Sequence, residues 1–334
     1  MENKVTICIQ SYNHEKYIEK CIQSLLNQNY RNFNIIVFDD CSNDRSVEII
    51  NKFQKKSSKI KLIITKTPLN QTNFNEIILR SNEFGDYFTI FHSDDMYQEN
   101  ILNEQVKYMN KNKEILAVGT SAWLINDISN KVGKVKLPNE LKTLSIIDKK
   151  KFIDLIFKYG FFLMTPSFMY RTSFFINKKL FYNYSKFGWA ADVGFFYKLL
   201  EYGKIGFINK ELLNYRISDV STSQILKNTK VSKGDLFKVL EYCLKNENID
   251  QIKKYKLKKK MDFLLMHEIT ICNINRAIKD LTLIDNKYIS NIIEGFKNLN
   301  NFKKLFFSVL IKIFLNFPYR KKILIEILKI KNKK

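Results

Sequence analysis

Short hydrophobic runs alternate with amphipathic stretches over the first part of the chain. Runs of strand length occur at Val5–Gln10, Asn34–Asp39, Ile60–Thr65, Tyr87–His92 and Ile115–Thr120. Between them, apolar residues recur at helical spacing in stretches that begin at Glu15, at Asp44 and near Tyr97. β-Branched and aromatic residues favour strands, whereas apolar residues three or four positions apart favour helices. This alternation predicts an α/β fold in which a parallel sheet carries helices on its faces.

The pattern changes in the second half of the chain. It predicts helices at Asp148–Tyr159 and Ala191–Tyr202, and strands at Met164–Tyr170, Ile205–Ile208 and Leu212–Arg216. A polar break follows at Ser218–Ser223, and beyond it the pattern is helical to the end with very few turn residues. We therefore predict a boundary near residue 225 between an α/β domain, 1–225, and a helical region, 226–334.

Composition narrows the class of protein. A chain of 334 residues that is 45% hydrophobic can bury one large core or two ordinary ones. Its five cysteines are scattered without a CxxC spacing, which is typical of a reducing compartment, and three histidines are too few for a zinc site. No signal peptide is recognised, and the longest apolar run, Leu305–Phe317, is too short to span a bilayer. These features favour a cytoplasmic location.

The charge balance suggests an anionic partner. The chain has 56 Lys and Arg against 33 Asp and Glu, a net charge of +23, and the last 100 residues alone have 22 against 10. Lysines mixed with Phe, Leu and Ile at 302–334 are typical of a segment that lies on an anionic membrane surface, although the same lysines can simply face water. A nucleic-acid-binding protein is the rival interpretation, but no zinc-finger spacing or RNP-like run is present.

Polar residues follow three of the predicted strands where each strand ends. The first strand ends in Gln10–Asn13, the second in Asp39 and Asp40, and the Tyr87–His92 strand runs into Asp94 and Asp95. Such residues often cap the next helix, but in an open α/β sheet ligands bind at the carboxyl ends of the strands. Two acidic pairs at one edge favour a site, and carboxylates of this kind bind Mg²⁺ or Mn²⁺.

A further carboxylate precedes a predicted apolar helix. Asp192 follows Phe187–Ala191 and comes immediately before Val193–Leu200. An acidic residue in a first helical turn often serves only as a cap or as a partner of the helix dipole. Together with the acidic strand ends, Asp192 is the best candidate for a general base.

The combination and order of these segments resemble family 2 glycosyltransferases, which have the GT-A nucleotide-sugar-binding fold. The matching segments are Val5–Asn13, Ser24–Gln28, Ile36–Asp44, His92–Asp95, Trp189–Asp192, Asn214–Arg216 and Ser221–Ser223. They cover about residues 4 to 224. The resemblance implies a Rossmann-like mixed sheet flanked by helices, and the helical pattern beyond it predicts an added C-terminal helical region.

The resemblance also implies roles for individual residues. Gln10, Tyr12 and Asp40 would hold the nucleotide, Tyr12 against the base and Asp40 by a hydrogen bond to it. Asp94 and Asp95 match the DxD-type element, Asp95 as a ligand of Mn²⁺ or Mg²⁺ and Asp94 at the metal, the ribose or the diphosphate. Asp192 matches the catalytic base.

The implied activity is inverting transfer of a sugar from a nucleotide sugar, with a UDP-sugar favoured, to a hydroxyl of a glycan or lipid-linked acceptor in bacterial surface polysaccharide or lipooligosaccharide assembly. The enzyme would lie in the cytoplasm, peripherally on the inner face of the membrane, with no nucleic-acid partner. The chain departs from many relatives at three positions, where it has His92, Ala191 and Ser218. A degenerate member that binds the donor without transferring the sugar is the alternative within the family.

Overall fold

The computed structural model describes residues 2–69, 73–142, 145–218 and 234–280, with side chains described up to residue 265. The chain divides into two compact units. One contains Met1–Ile156 and Phe161–Ser218, and the other contains Phe157–Gly160 and Asp219–Lys334. The predicted domain boundary near residue 225 lies outside the described residues.

The first unit contains a ten-stranded mixed sheet. The strands are β1 Val5–Ser11, β2 Phe33–Asp39, β3 Ile60–Ile64, β4 Tyr87–His92, β5 Met96–Tyr97, β6 Ile115–Ile125, β7 Lys131–Lys134, β8 Ile146–Ile147, β9 Met169–Arg171 and β10 Lys204–Arg216. Their order is β3-β2-β1-β4-β9-β6-β10-β5, with β7 paired to β6 and β8 paired to β10. The β3-β2-β1-β4 half is parallel, and β9 is antiparallel to both β4 and β6. The sheet therefore has a parallel half and a mixed half.

Helices cover the sheet. They are α1 Ile18–Leu26, α2 Ser46–Lys56, α3 Asn73–Leu79, α4 Ile101–Lys111, α5 Lys149–Tyr159, α6 Thr172–Asn177, α7 Tyr184–Phe187 and α8 Ala191–Leu199. The core forms because β1 is buried on both faces, and Val5, Ile7 and Ile9 pack with the apolar stripe of α1. Near-continuous burial of this kind is expected for a central parallel strand.

Three sequence predictions need correction. Met96–Tyr97 is a short strand, and the helix predicted near Tyr97 begins only at Ile101. The two strands predicted at 205–208 and 212–216 are one strand, β10, whose register against β6 shifts between Ile208 and Leu213. A bulge of this type adds polar residues to a strand without ending it, so the hydrophobic pattern alone suggested two strands. The strand predicted at Met164–Tyr170 is a 3₁₀ turn at Thr165–Ser167 followed by the short strand β9.

The second unit is helical over its described residues. Helix α9 spans Leu236–Asn246 and helix α10 spans Gln251–Asp280. The apolar run Leu305–Phe317 lies outside the described residues. Among the helices that the structure describes, none is both long enough and apolar enough to cross a membrane.

Candidate active site

The ends of three parallel strands bring the polar segments of the sequence together. Strand β1 lies between β2 and β4, with Ser11 beside Asp39 and Gln10 beside His92. The segments that continue from these strands therefore meet at one edge of the sheet, as the strand order of an open α/β fold requires. The adjacency is reinforced by main-chain bonds, because the amides of Asp40 and Ser93 donate to the carbonyls of Ser11 and Gln10 at 2.9 and 3.2 Å.

Asp39 and Asp40 are adjacent in sequence but differ in environment. The Asp39 carboxylate is completely buried and accepts hydrogen bonds from the Ser11 hydroxyl at 3.0 Å, the Ser42 amide at 2.8 Å and the Ser42 hydroxyl at 2.7 Å. Three donors replace the water that a buried carboxylate loses, so Asp39 holds the loop in shape. The Ser42 hydroxyl also accepts from the amide of Asn13, whose φ of 52° lies in the left-handed region.

Asp40 lies beside the loop that follows β3. Its Oδ1 atom accepts hydrogen bonds from the Thr65 hydroxyl at 3.1 Å and the Leu69 amide at 2.7 Å, and the residue is 4% exposed. On the neighbouring strand β1, Gln10 is half-buried, and Tyr12, which follows the end of that strand, is 52% exposed. An exposed aromatic ring at the carboxyl edge of a sheet has a free face on which a planar base can stack.

The acidic segment after β4 forms a compact group with a histidine. One ligand atom from each of His92, Asp94 and Asp95 lies within 4.8 Å of the other two, and His92 Nδ1 lies 4.0 Å from Asp95 Oδ2. Burial is the main cause that raises the pKa of Asp95 well above its usual range, and the nearby Asp94 charge raises it further. Burial likewise lowers the pKa of His92. Burial thus disfavours the charged form of both groups, against the opposing charges of Arg216 at Asp95 and of Asp94 at His92.

The donor atoms of this group fit a divalent cation. Asp95 Oδ1 accepts the Arg216 amide at 2.8 Å, but the buried Oδ2 atom has no hydrogen-bond partner within the described chain. The buried Nε2 atom of His92 likewise lacks a partner there. Unsatisfied buried polar atoms are rare and costly, and a bound cation would satisfy a carboxylate oxygen in this position.

Asp192 lies in the first turn of α8. Its Oδ2 atom accepts a hydrogen bond from the Thr165 hydroxyl at 3.1 Å, and Oδ1 accepts the Val193 amide at 2.8 Å. The 3₁₀ turn that contains Thr165 precedes β9 and packs against β4. Because β9 runs antiparallel to β4, this turn lies toward the carboxyl end of β4, where the acidic segment begins.

The surroundings of Asp192 are aromatic. Burial is the main cause that raises the pKa of Tyr170, Tyr182 and Tyr184, and the Asp192 charge raises each pKa further, so these rings lie within electrostatic range of its carboxylate. Burial raises the pKa of Asp192 itself to about 6, against the opposing hydrogen bonds from Val193 and Thr165. A carboxylate with such a pKa is ionised at neutral pH and is a stronger base than an ordinary aspartate.

A glycine on α8 allows the helix to pack closely against the Phe187 ring. An added Cβ at Gly194 would lie 2.3 Å from the Phe187 ring, which packs directly against the helix at that point. The turn before α8 also needs a glycine, because Gly188 has a φ of +55°. Both glycines therefore determine where α8 begins and packs, and with it the position of Asp192.

Sequence reasoning missed three contributors to this edge. His92 was treated as a departure from the acidic motif, but its ring belongs to the same group as Asp94 and Asp95. Thr165 and Arg216 gave no signal that they would bond to Asp192 and Asp95, because those contacts join residues 27 and 121 positions apart. The segment Asn214–Arg216 is one of the matching motifs in the sequence, but the sequence assigns it no role.

Solved structures with similar folds support the architecture. S. aureus TarS in complex with UDP-GlcNAc superposes with a TM-score of 0.58 at 16% identity, covering 89% of this chain and 82% of that one. The Pyrobaculum calidifontis mannosyltransferase PcManGT, in complex with GDP-Man and Mn²⁺, gives a TM-score of 0.56 at 10% identity over 88% of this chain and 84% of that one. The predicted GT-A fold, a mixed sheet flanked by helices, is confirmed.

Sequence comparison gives the family. An uncharacterized glycosyltransferase of Haemophilus influenzae is 31% identical over 148 residues, which cover 44% of this chain and 58% of that protein. The match thus spans less than two thirds of the relative's length. The model of glycosyl transferase family 2 matches residues 6–177, a range that includes Gln10, Tyr12, Asp40, Asp94 and Asp95 and ends before Asp192. Since this match covers more than half of the 334 residues, the chain belongs to glycosyl transferase family 2.

Proposed function

We propose that this protein is an inverting glycosyltransferase that moves a sugar from a UDP-sugar to a hydroxyl of a glycan or lipid-linked acceptor, in bacterial surface polysaccharide or lipooligosaccharide assembly. Two features carry the proposal: an unsatisfied buried carboxylate oxygen on Asp95, just after β4, and a carboxylate of raised pKa on Asp192, whose partner Thr165 lies in a turn that packs against β4. The first fits a cation that binds a diphosphate, and the second fits a general base.

The donor nucleotide would lie against the ends of β1 and β2. Tyr12 offers an exposed ring for stacking on the base, and the Asp40 carboxylate can accept a hydrogen bond from a base N–H. Gln10, half-buried beside His92, would contact the donor between the base and the acidic segment. These three residues set the orientation of the nucleotide, and Asp94 would contact the ribose or diphosphate.

The metal would be held by Asp95 and Asp94, with the His92 ring adjacent. Two carboxylates are the ligands that Mn²⁺ and Mg²⁺ prefer. When bound, a divalent cation stabilises the negative charge that develops on the departing diphosphate. Asp95 would present its Oδ2 atom, because Oδ1 is already bonded to the Arg216 amide.

Asp192 would act as the base. Its carboxylate takes the proton from the acceptor hydroxyl as that oxygen forms a bond to the anomeric carbon. The bond between that carbon and the diphosphate oxygen breaks at the opposite face, and its electron pair leaves with the nucleotide. The transition state has oxocarbenium character, and the configuration at carbon is inverted. Thr165 and the Val193 amide fix the carboxylate while each oxygen keeps a lone pair for the proton.

The proposal is tested with a panel of nucleotide sugars. We expect one UDP-sugar to raise the melting temperature in the presence of Mn²⁺ and to be slowly hydrolysed without an acceptor, because water can replace the acceptor hydroxyl. Matched GDP- and CMP-sugars should do neither. Binding of a UDP-sugar without any turnover would indicate a degenerate member, and no response to any donor would overturn the proposal.

We also propose that the protein works at an anionic membrane surface. On α10, Ile252 is 70% exposed and Tyr255 is 59% exposed. Six lysines lie between Lys253 and Lys260, and the Lys259 ammonium lies 4.5 Å from the Tyr255 ring. Exposed apolar residues among lysines are typical of helices that lie in a membrane interface.

Vesicle flotation tests this location. We expect the protein to float with vesicles that contain phosphatidylglycerol but not with pure phosphatidylcholine, and high salt should release it. Replacing Ile252 and Tyr255 by Ser should reduce flotation severalfold. Ile176→Ser, at a residue 47% exposed on α6, is the matched control. Equal flotation of all variants with anionic vesicles would exclude α10 as the contact.

A further inference from the structure

Arg216 lies at the end of β10 and is 2% exposed. Its main-chain amide donates to Asp95 Oδ1 at 2.8 Å, and its Nε atom donates to the Asp94 carbonyl at 2.7 Å. A single residue thus holds both the side chain of Asp95 and the main chain of Asp94. With Oδ1 engaged in this way, Asp95 can offer only the unsatisfied Oδ2 atom to a cation.

The rest of the guanidinium group is bonded to the turn between β6 and β7. Nη1 donates to the Asn126 carbonyl, and Nη2 donates to the Ser129 hydroxyl at 3.1 Å. The Arg216 group also lies 4.4 Å from the Tyr17 ring, and the Tyr17 hydroxyl donates to Asp127 of the same turn at 3.0 Å. Arg216 therefore connects three separate segments: the acidic pair, this turn and the residue that precedes α1.

The planar fork of arginine is needed for this arrangement. Nε, Nη1 and Nη2 point to acceptors in different directions, and all three acceptors are neutral oxygens. A lysine would keep the positive charge but offers one nitrogen on a flexible stem, so it cannot hold both the Asp94 carbonyl and the turn. The bonds that a lysine variant loses are therefore those of the guanidinium group, since the positive charge and the main-chain amide that donates to Asp95 Oδ1 are both kept.

We propose that Arg216 is a positioning residue that sets the cation affinity of the acidic pair by fixing the Asp94 main chain and the Asp95 carboxylate against the β6–β7 turn. The inference rests on the proposed metal site. Residues that orient metal ligands without touching the ion commonly change metal affinity by about 10- to 100-fold when they are replaced. A purely structural arginine would change stability alone.

Arg171 provides the matched control. Its guanidinium group is also bonded to main-chain carbonyls, with Nε donating to Ile115 at 3.1 Å and Nη2 to Met109 at 3.1 Å. It lies beside Tyr87, at the opposite end of β4 from the acidic pair. Arg171→Lys and Arg216→Lys therefore remove similar bonds at opposite ends of the same sheet.

The test titrates each full-length variant with Mn²⁺ alone, and binding is measured as the loss of the EPR signal of free Mn²⁺. Melting curves of the same variants are recorded in EDTA. We expect both lysine variants to melt at a lower temperature, but only Arg216→Lys to weaken Mn²⁺ binding, by about tenfold or more. Equal Mn²⁺ affinity of Arg216→Lys and wild type would overturn the inference. If Arg216→Lys does not fold, Ser129→Ala decides, since loss of the Nη2 bond should also weaken Mn²⁺ binding, and wild-type affinity of this variant would overturn the inference.

Asp95→Asn separates this inference from the proposed metal site. If wild type fails to bind Mn²⁺, or if Asp95→Asn binds it as well as wild type does, the metal site itself is wrong and the inference falls with it. If Asp95→Asn loses binding and Arg216→Lys retains it, the metal site stands and only the positioning role is refuted.

Discussion

Asp192→Asn should abolish sugar transfer while leaving the donor bound. The amide cannot accept the proton of the acceptor hydroxyl, and loss of a general base commonly lowers turnover by about 10²- to 10⁴-fold. The replaced group keeps its place, because Oδ1 still accepts the Val193 amide and the Thr165 hydroxyl can rotate to accept from the new amide. Turnover and the donor-induced rise in melting temperature are measured on the same samples.

Asp148→Asn is the matched control for this variant. Asp148 is an exposed carboxylate that also begins a helix, and its Oδ1 atom accepts the Lys151 amide at 2.7 Å. Its replacement removes the same charge and the same kind of cap without touching the sheet edge. We expect turnover near the wild-type value. Unchanged turnover in Asp192→Asn itself would refute the assignment of the base.

The raised pKa of Asp192 also gives this variant an expected effect on stability. The folded value of about 6 lies about two units above the ordinary value for aspartate, so keeping the ionised carboxylate in the folded protein costs up to about 3 kcal/mol. Because the folded pKa of this acid is raised, the cost is complete above pH 6 and disappears as the pH falls toward 4. Asp192→Asn should therefore melt a few degrees higher than wild type at pH 7.5, and the difference should vanish near pH 4.

The same pKa predicts the acidic limb of the pH profile. Wild-type turnover should fall tenfold per unit below about pH 6 as the base becomes protonated, and Asp192→Asn should lose this limb in its residual activity. A profile that is flat from pH 5 to pH 8 would contradict the role of Asp192 as the base.

The sequence predicts which polar residues lie at the carboxyl edge of the sheet, but it does not predict the hydrogen bonds that these residues make with other segments. Strand ends follow from hydrophobic runs, so the sequence pattern predicts that Gln10, Asp40 and Asp95 lie at one edge of the sheet. The hydrophobic pattern does not distinguish Asp39 from Asp40, and the bonds by which Ser11 and Ser42 hold Asp39 are seen only in the structure. Which partners each carboxylate bonds to depends on how the neighbouring strands and loops are placed, and the pattern of hydrophobic and polar residues does not specify this.

Long-range partners were invisible for the same reason. Arg216 contacts Asp95, and Thr165 contacts Asp192, because β10 and β9 take the places in the sheet that the strand pairing gives them. The sequence does not predict the short strand at Met96–Tyr97, because a tyrosine also fits the start of a helix. These two residues are in a strand because they pair with Leu213 and Asn214 of β10. Local propensity gives way to tertiary pairing at such positions.

Asp95→Asn should remove metal dependence without destabilising the protein in the absence of metal. The substitution keeps the Oδ1 acceptor for the Arg216 amide but removes the charge that burial disfavours, which is why the pKa of Asp95 is raised well above its usual range. In EDTA, we therefore expect Asp95→Asn to melt no lower than wild type. Added Mn²⁺ should raise the melting temperature of wild type and leave that of the variant unchanged.

The activity of this variant should fall by more than about 10²-fold, because the charge that develops on the leaving diphosphate is no longer compensated. Glu104→Gln is the control, since Glu104 is a surface carboxylate paired with Lys210 at 2.8 Å. It should respond to Mn²⁺ as wild type does. The two effects together make the argument specific. Replacing a residue that is kept for folding would lower the stability of the protein, whereas replacing a buried carboxylate that is kept for a cation lowers activity and leaves the metal-free protein no less stable. A variant that melts several degrees lower in EDTA and still responds to Mn²⁺ would show that Asp95 is structural.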